Sequence, residues 1–169
     1  MKKITALSTI VLAVFAASPV LAADAQWFIG GGIGYQEDTI KGEGAQNGED
    51  ATYQLRGGAI LNDHHRVMGT YSYMDKSSQN MFLASYDYLL PVHQNVNLFA
   101  GVSTGFADSK IDGKSSTDFV WGGQVGAMYE INDSWSTDLT YRYLDQDYSE
   151  NNTKIDYSQQ VVWSVDYRF

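Results

Sequence analysis

Tyr157-Ser158-Gln159-Gln160-Val161-Val162-Trp163-Ser164-Val165-Asp166-Tyr167-Arg168-Phe169 closes the chain as one uninterrupted period-two stretch. Side chains of a strand alternate between its two faces. Tyr157, Gln159, Val161, Trp163, Val165, Tyr167 and Phe169 therefore share one face, and Ser158, Gln160, Val162, Ser164, Asp166 and Arg168 share the other, mostly polar one. An apolar outer face carried to a final aromatic is what a closed barrel in a lipid bilayer requires. The stretch thus predicts both an architecture and a compartment.

The other end of the sequence agrees. Lys2 and Lys3 precede an apolar run from Ile4 to Ala17 that is too short for a stable spanning helix. Pro19 breaks the run, and Val20-Leu21-Ala22 supplies modest residues where a signal peptidase reads. Residues 1–22 are expected to be a cleaved export signal and residues 23–169 a single barrel domain, with cleavage after Ala23 or Ala25 as the alternatives. The chain has no cysteine, so disulfides and thiolate chemistry are excluded. With 20 acidic against 11 basic residues and no basic stripe, a nucleic-acid partner is excluded as well.

Turn residues divide the remainder into eight alternating segments near 26–36, 51–61, 66–75, 80–90, 95–107, 118–131, 135–145 and 155–169. Most have the roughly nine to eleven residues that a tilted strand needs to cross hydrocarbon. Asn62–His65, Pro91–Gln94 and Asn132–Ser134 read as tight turns. Segments 37–50, 108–117 and 146–154 read as longer polar loops, with a shorter one at Lys76–Gln79. Short connections on one side and longer ones on the other predict an all-β, eight-stranded antiparallel up-and-down transmembrane barrel.

On this reading the outward face of every strand is free of charge, as lipid demands. Its aromatics gather at the strand ends: Trp27, Trp135, Tyr167 and Phe169 near the turns, and Tyr35, Tyr53, Tyr73, Phe119 and Tyr143 near the loops. Such rings suit the headgroup zone and form two girdles. The opposite face holds Arg56, Arg66, Asp87, Gln124, Glu130, Asp138, Arg142, Asp166 and Arg168. A lumen of eight strands is just wide enough for its side chains to fill. The expected polar network is Arg56, Asp87, Gln124, Glu130, Asp138 and Arg142, with Arg66, Asp166 and Arg168 nearer the rim. Gly30, Gly32 and Gly34 face inward, either to leave room for long side chains or to ease curvature.

Catalysis finds no support. The histidines, His64, His65 and His93, all fall on the turn side, away from the loop serines and aspartates. No nucleophile, base and orienting group converge, and no metal-ligand or phosphate-loop spacing occurs. No enzyme, cofactor or metal site is expected. In or beside the loops lie Glu37, Asp38, Glu43, Glu49, Asp50, Asp108, Asp112, Asp118, Asp145, Asp147, Glu150 and Asp156, only partly offset by Lys41, Lys110, Lys114 and Lys154, an acidic cap that keeps the rim wet.

The signal, the opening Trp27-Phe28-Ile29-Gly30-Gly31-Gly32-Ile33-Gly34-Tyr35, the eight-strand rhythm and the closing Val165-Asp166-Tyr167-Arg168-Phe169 resemble the small outer-membrane β-barrel proteins of Gram-negative bacteria. These include OmpA-like transmembrane domains, OmpX-like and opacity-type proteins. The resemblance implies a porin-like outer-membrane protein with periplasmic termini, surrounded by lipids and lipopolysaccharide and expected to be a monomer. It also implies handling by periplasmic chaperones and the barrel assembly machinery, with Val161, Trp163, Val165, Tyr167 and Phe169 as the C-terminal assembly signal. The leading functional expectation is a non-enzymatic protein of envelope integrity presenting acidic loops. A surface adhesin and a narrow channel are the alternatives. No peptidoglycan-binding domain follows Phe169, so a cell-wall tether is not implied.

Overall fold

Period-two patterning becomes eight antiparallel strands in the computed structural model, which describes residues 25–41, 48–75, 79–111, 114–150 and 153–169. The strands are β1 (Ala25–Lys41), β2 (Gly48–Leu61), β3 (His65–Met74), β4 (Gln79–His93), β5 (Val96–Ile111), β6 (Lys114–Glu130), β7 (Trp135–Glu150) and β8 (Thr153–Arg168). Each pairs with its sequence neighbours, and β8 returns to pair with β1, closing the barrel. Closure removes the free edge that hydrocarbon could not hydrogen-bond. The β1–β8 seam runs from Phe28↔Arg168 to Lys41↔Lys154 and slips once, between Thr39 and Ile40. At its turn end the Phe169 N–H donates to the Trp27 carbonyl at 2.9 Å. The signal segment expected at residues 1–22 lies outside the described residues.

The turns follow local chemistry. Asn62 and Asp63 both adopt left-handed conformations, with φ of 51° and 59°, and the His64 N–H closes the turn on the Leu61 carbonyl at 3.2 Å. Asn and Asp are the non-glycine residues that tolerate this paired left-handed geometry best. Asn132 Oδ1 accepts from the Ser134 and Trp135 N–H groups, both at 2.9 Å, and so replaces a missing backbone partner. The turn expected at Pro91–Gln94 sits further along: β4 continues to His93, and the ladder slips between Pro91 and His93. Pro91 has no N–H to give the ladder, so an irregularity at the strand end accommodates it.

The larger correction concerns the loops. Segments 37–50, 108–117 and 146–154 are mostly paired strand: Glu37↔Glu49 and Asp38↔Gly48 continue β1–β2, Asp108↔Thr117 to Ile111↔Lys114 continue β5–β6, and Tyr148↔Ile155 to Glu150↔Thr153 continue β7–β8. Backbone ladders need no apolar side chains. Polar composition therefore marks where lipid contact stops, not where the strand stops. The barrel carries three ribbon arms on its loop side, and the tips at 42–47, 112–113 and 151–152 lie outside the described residues, as does 76–78.

Inside, the bare backbone of several glycines is occupied by specific neighbours. A Cβ on Gly30 would stand 1.9 Å from Asp166 Oδ1 and 2.4 Å from the Val165 carbonyl, and one on Gly101 would stand 2.1 Å from Asp87 Oδ1. Outward Gly31 is different: the nearest atom to its Cβ would be 3.4 Å away. Gly30 and Gly101 thus make room for lumen carboxylates, whereas Gly32 faces Ser164 and Gly126 faces Phe99. Gly30→Ala should lower stability by about 1–3 kcal/mol, the usual range for overpacking, while Gly31→Ala stays near wild type. Urea unfolding of each variant in detergent micelles measures the difference, and equal effects would contradict the assignment.

Candidate functional site

The strand parity sends one set of side chains to lipid and the other into the lumen. Along β4, β5 and β6 the inward positions run apolar, polar, apolar. At the turn end Phe28, Ile60, Met68, Leu89, Phe99 and Met128 form one buried cluster. At the loop end Met74, Met81, Leu83, Ala107, Val120 and Leu144 form another. A continuous ionic and amide network lies between them.

Asp138 on β7 is its centre. Its Oδ1 and Oδ2 accept from Arg56 Nη1 and Nη2 at 3.2 and 2.5 Å, and Oδ2 also accepts from Arg66 Nη1 at 2.9 Å. Arg56 is shared with Asp166, donating from Nε at 2.8 Å and from Nη2 at 2.6 Å. Arg66 is shared with Asp87, donating from Nε and Nη2 at 2.9 and 2.7 Å, and its guanidinium sits 4.3 Å from the Phe99 ring centroid. Asp87 Oδ1 accepts from Gln124 Nε2 at 2.6 Å. Gln124 Oε1 in turn accepts from Arg142 Nε at 2.8 Å and from Ser103 Oγ at 3.0 Å. Arg142 reaches Gln160 Oε1 at 3.3 Å, and Gln160 Nε2 donates to Gln36 Oε1 at 2.5 Å. The network therefore links side chains from all eight strands, with Arg56, Arg66 and Arg142 balanced by Asp87, Asp138 and Asp166.

This placement revises the expected set. Arg56, Asp87, Gln124, Asp138 and Arg142 do come together. Glu130 does not: as the last residue of β6 it lies at the turn-side rim, with its side chain 32 % exposed and 3.4 Å from Arg168 Nη1. Asn97 Nδ2 donates to its Oε1 at 3.1 Å. Arg66 and Asp166, expected near the rim, belong to the centre. Arg66 starts at the turn end of β3, but its long side chain carries the charge inward past Phe99. Arg142 meets two glutamine amides in place of a carboxylate.

The lumen is packed shut. Arg66, Asp87, Gln160 and Leu83 have no accessible surface, and Arg142, Asp138 and Arg56 have 2–3 %. A water-filled path would leave its wall residues accessible, so no continuous channel crosses the described barrel.

The outer surface has the inverse chemistry. Trp27, Tyr35, Tyr53, Tyr73, Phe119, Trp135, Tyr143 and Tyr167 are all exposed. Trp135 and Tyr167 pack edge-on at 5.2 Å, and Tyr143 stacks on Tyr157 at 5.2 Å. Tyr86, Tyr88 and Tyr129 add to the turn-side belt and were not among the expected girdle residues. Within the C-terminal stretch Val161, Trp163, Tyr167 and Phe169 are exposed and Val165 is half-buried. Several polar groups on this face are paired, because lipid offers them nothing. Trp163 Nε1 donates to Thr137 Oγ1 at 2.8 Å, and Thr137 donates to the Ser164 carbonyl at 2.8 Å. His65 Nδ1 lies 2.7 Å from the Tyr86 hydroxyl, on the outside of the barrel. Among the described residues no group of three His, Cys, Asp or Glu could hold a metal ion.

Residues 7–169 match the model of the outer membrane protein beta-barrel domain family. The chain belongs to that family. Its fold is shared by Neisserial surface protein A, with 17 % identity, a TM-score of 0.65, and 85 % of this chain and 97 % of that chain covered. Outer membrane protein H of P. aeruginosa gives 23 % identity and a TM-score of 0.65, covering 87 % of this chain and 100 % of that one. Ail, the attachment invasion locus protein of Yersinia pestis, gives 14 % identity and a TM-score of 0.54, covering 86 % and 99 %. No curated protein sequence matches. At these identities the likeness is one of fold, and the protein is an outer-membrane β-barrel.

Breaking a buried ion pair by removing one partner costs about 3–5 kcal/mol, because it leaves an uncompensated buried charge. Asp138→Asn, which weakens the hold on two guanidiniums, should therefore lower stability by about that amount. Arg142→Met, which removes a cation whose partners among the described residues are the Gln124 and Gln160 amides, should cost less. Urea titrations in lipid vesicles, read by tryptophan fluorescence, compare them; a larger loss for Arg142→Met would contradict the centrality of Asp138.

Proposed function

We propose that the protein is a non-enzymatic, sealed outer-membrane anchor that contributes to envelope integrity and holds three ribbon arms, together net acidic, outside the cell. The observation that carries this reading is the lumen, filled from plug to plug by apolar clusters and a neutral ionic network. A barrel so closed offers neither a reaction chamber nor a solute path, and its remaining chemistry lies on its surfaces. The arms extend strands beyond the uncharged lipid-facing band and bring Glu37, Asp38, Glu49, Asp50, Asp108, Asp145, Asp147 and Glu150 to the loop side.

In this reading residues 1–22 direct Sec-type export and are removed, and both ends of the barrel face the periplasm. Periplasmic chaperones and the assembly machinery recognise Val161, Trp163, Val165, Tyr167 and Phe169. Lipid and lipopolysaccharide surround a monomeric barrel. Attachment to another surface is the second reading, favoured by the arms: paired ribbons hold a contact surface in place at lower entropic cost than free loops. One structural neighbour is titled an attachment invasion locus protein. Channel function is disfavoured by the packed interior.

Purified protein in planar bilayers should give no reproducible conductance steps, and Arg56→Ala should not open them; regular steps from the wild-type protein would overturn the sealed-anchor reading. Cysteines placed at Asn47 and Asp133 report the orientation. A membrane-impermeant maleimide should label Asn47→Cys on intact cells and leave Asp133→Cys unlabelled, and the reverse pattern would invert it. Deleting the β1–β2 arm should abolish attachment while sparing folding if the second reading is right.

A further inference from the structure

The cations of the barrel avoid its turn-side outer belt. Among the described residues Arg56, Arg66, Arg142 and Arg168 are buried inside, and Lys41, Lys110, Lys114 and Lys154 lie at the loop side. Lipid headgroups around the turn end therefore meet no permanently charged donor from these residues. On one sector, where β3 begins and β4 nears its end, they meet two histidines set among tyrosines. His65 stands beside its ladder partner Tyr88. Its ring stacks on Tyr86 at 6.0 Å and meets Tyr88 edge-on at 5.6 Å, and His64 lies 6.0 Å from the same Tyr88 ring. Both tyrosines and His64 are exposed, and His65 is half-buried.

One ring nitrogen in this group is already engaged: His65 Nδ1 lies 2.7 Å from the Tyr86 hydroxyl. The His65 Nε2, the His64 imidazole and the Tyr88 hydroxyl have no hydrogen-bond partner among the described residues. Tyr71 and Tyr141, on the same face nearer the loops, differ in donating to Asn80 Oδ1 at 2.6 Å and Gln159 Oε1 at 2.7 Å. Toward the bilayer centre the same sector flattens. Gly57, Gly69 and Ala84 stand in one row as ladder partners across β2, β3 and β4, roughly 13 Å below His65 at the rise of a strand. A Cβ on Gly69 would meet only the Phe82 ring, at 3.7 Å. The row is a shallow trough on the lipid-facing surface.

We propose that this sector binds one phospholipid, its phosphate on His65 Nε2, His64 and the Tyr88 hydroxyl and one acyl chain laid over Gly69. A phosphate diester accepts hydrogen bonds and donates none, so His65 Nε2 carries the proton and Nδ1 accepts from the Tyr86 O–H. Tyr86 is thus a positioning residue that fixes the tautomer and the ring direction. The remaining belt aromatics set depth in the membrane, whereas this sector selects a headgroup. The proposal rests on the reading that lipid surrounds the barrel, and the leaflet it draws from follows the orientation that maleimide labelling tests.

Protein folded in dodecyl maltoside micelles, which carry no phosphate, can be titrated with dioleoyl phosphatidylglycerol and followed by imidazole nitrogen-15 shifts. The His65 signals should move saturably and settle as the Nε2–H tautomer. Dioleoylglycerol has the same chains without phosphate, and glycerol phosphate has the phosphate without chains; neither should move them at the same concentrations. Tyr86→Phe should weaken binding by about tenfold, the equivalent of one hydrogen bond, and leave the tautomers mixed. Gly69→Leu fills the trough away from the headgroup contacts and should weaken binding while keeping the wild-type tautomer. A non-saturating response, an equal response to dioleoylglycerol, or wild-type affinity in His65→Phe would overturn the site. A full response to glycerol phosphate would overturn a lipid as its occupant. Each of these failures, with cell-surface labelling as expected, would remove the site and leave the outer-membrane anchor standing.

Discussion

Asp138 accepts hydrogen bonds from two guanidiniums at once, and the interior of the barrel is arranged around that contact. Neither Arg56 nor Arg66 could be enclosed singly, because an unpaired ion in a dry interior costs several kcal/mol. Sharing Asp138 couples them, and Asp166 and Asp87 complete each fork from the far side. The glycines follow from this, not from turn chemistry. Gly30 and Gly101 lie where the Asp166 and Asp87 carboxylates approach the opposite strand, and a side chain there would displace them. The apolar clusters follow too, since a network of this kind keeps its strength only if water is kept out at both ends.

Face assignment was legible in the sequence because a period of two leaves no freedom: Trp27, Leu55, Val102 and Trp163 could only face lipid if Phe28, Arg56, Ser103 and Ser164 faced inward. Depth was much less legible. Position along the axis depends on strand stagger and on side-chain reach, and neither is written in alternation. Arg66 sits one residue inside β3 and still delivers its charge to the centre, whereas Glu130, at a similar distance from its own turn, stops at the rim. An arginine can travel several ångströms farther than a glutamate, and that difference decided both placements. The arms were missed for another reason. Glu37, Asp38, Glu49 and Asp50 read as loop because strands were recognised by their lipid-facing residues, and these residues pair beyond the lipid.

Arg142 shows how such a network accommodates an uneven distribution of partners. It has no carboxylate of its own, yet Gln124 accepts from it and donates to Asp87 in the same amide plane. The amide dipole passes the carboxylate's field across one residue, so charge balance is met by the cluster as a whole. A glutamine at this position therefore does what an acid could not: a carboxylate there would face Asp87 directly and repel it. Gln160 repeats the device toward Gln36 on β1.

A packed lumen also limits where function can reside. Substitutions in the central network act through stability, since Arg56, Arg66 and Asp138 are each tied to other strands. Substitutions on the arms leave the ladder intact and change only what the surface presents. The two halves of the chain's chemistry are thereby uncoupled. The interior fixes the cylinder, and the arms extend its ladders, β1–β2 and β5–β6 without a break and β7–β8 with one shift between Asp145 and Tyr148. Acidic residues that would repel one another in a compact loop, such as Glu37 and Glu49, are instead held opposite each other across a ladder, where like charges oppose the pairing. That repulsion is local to the β1–β2 arm and weakens as salt screens it, whereas the enclosed ion pairs of the interior are screened far less.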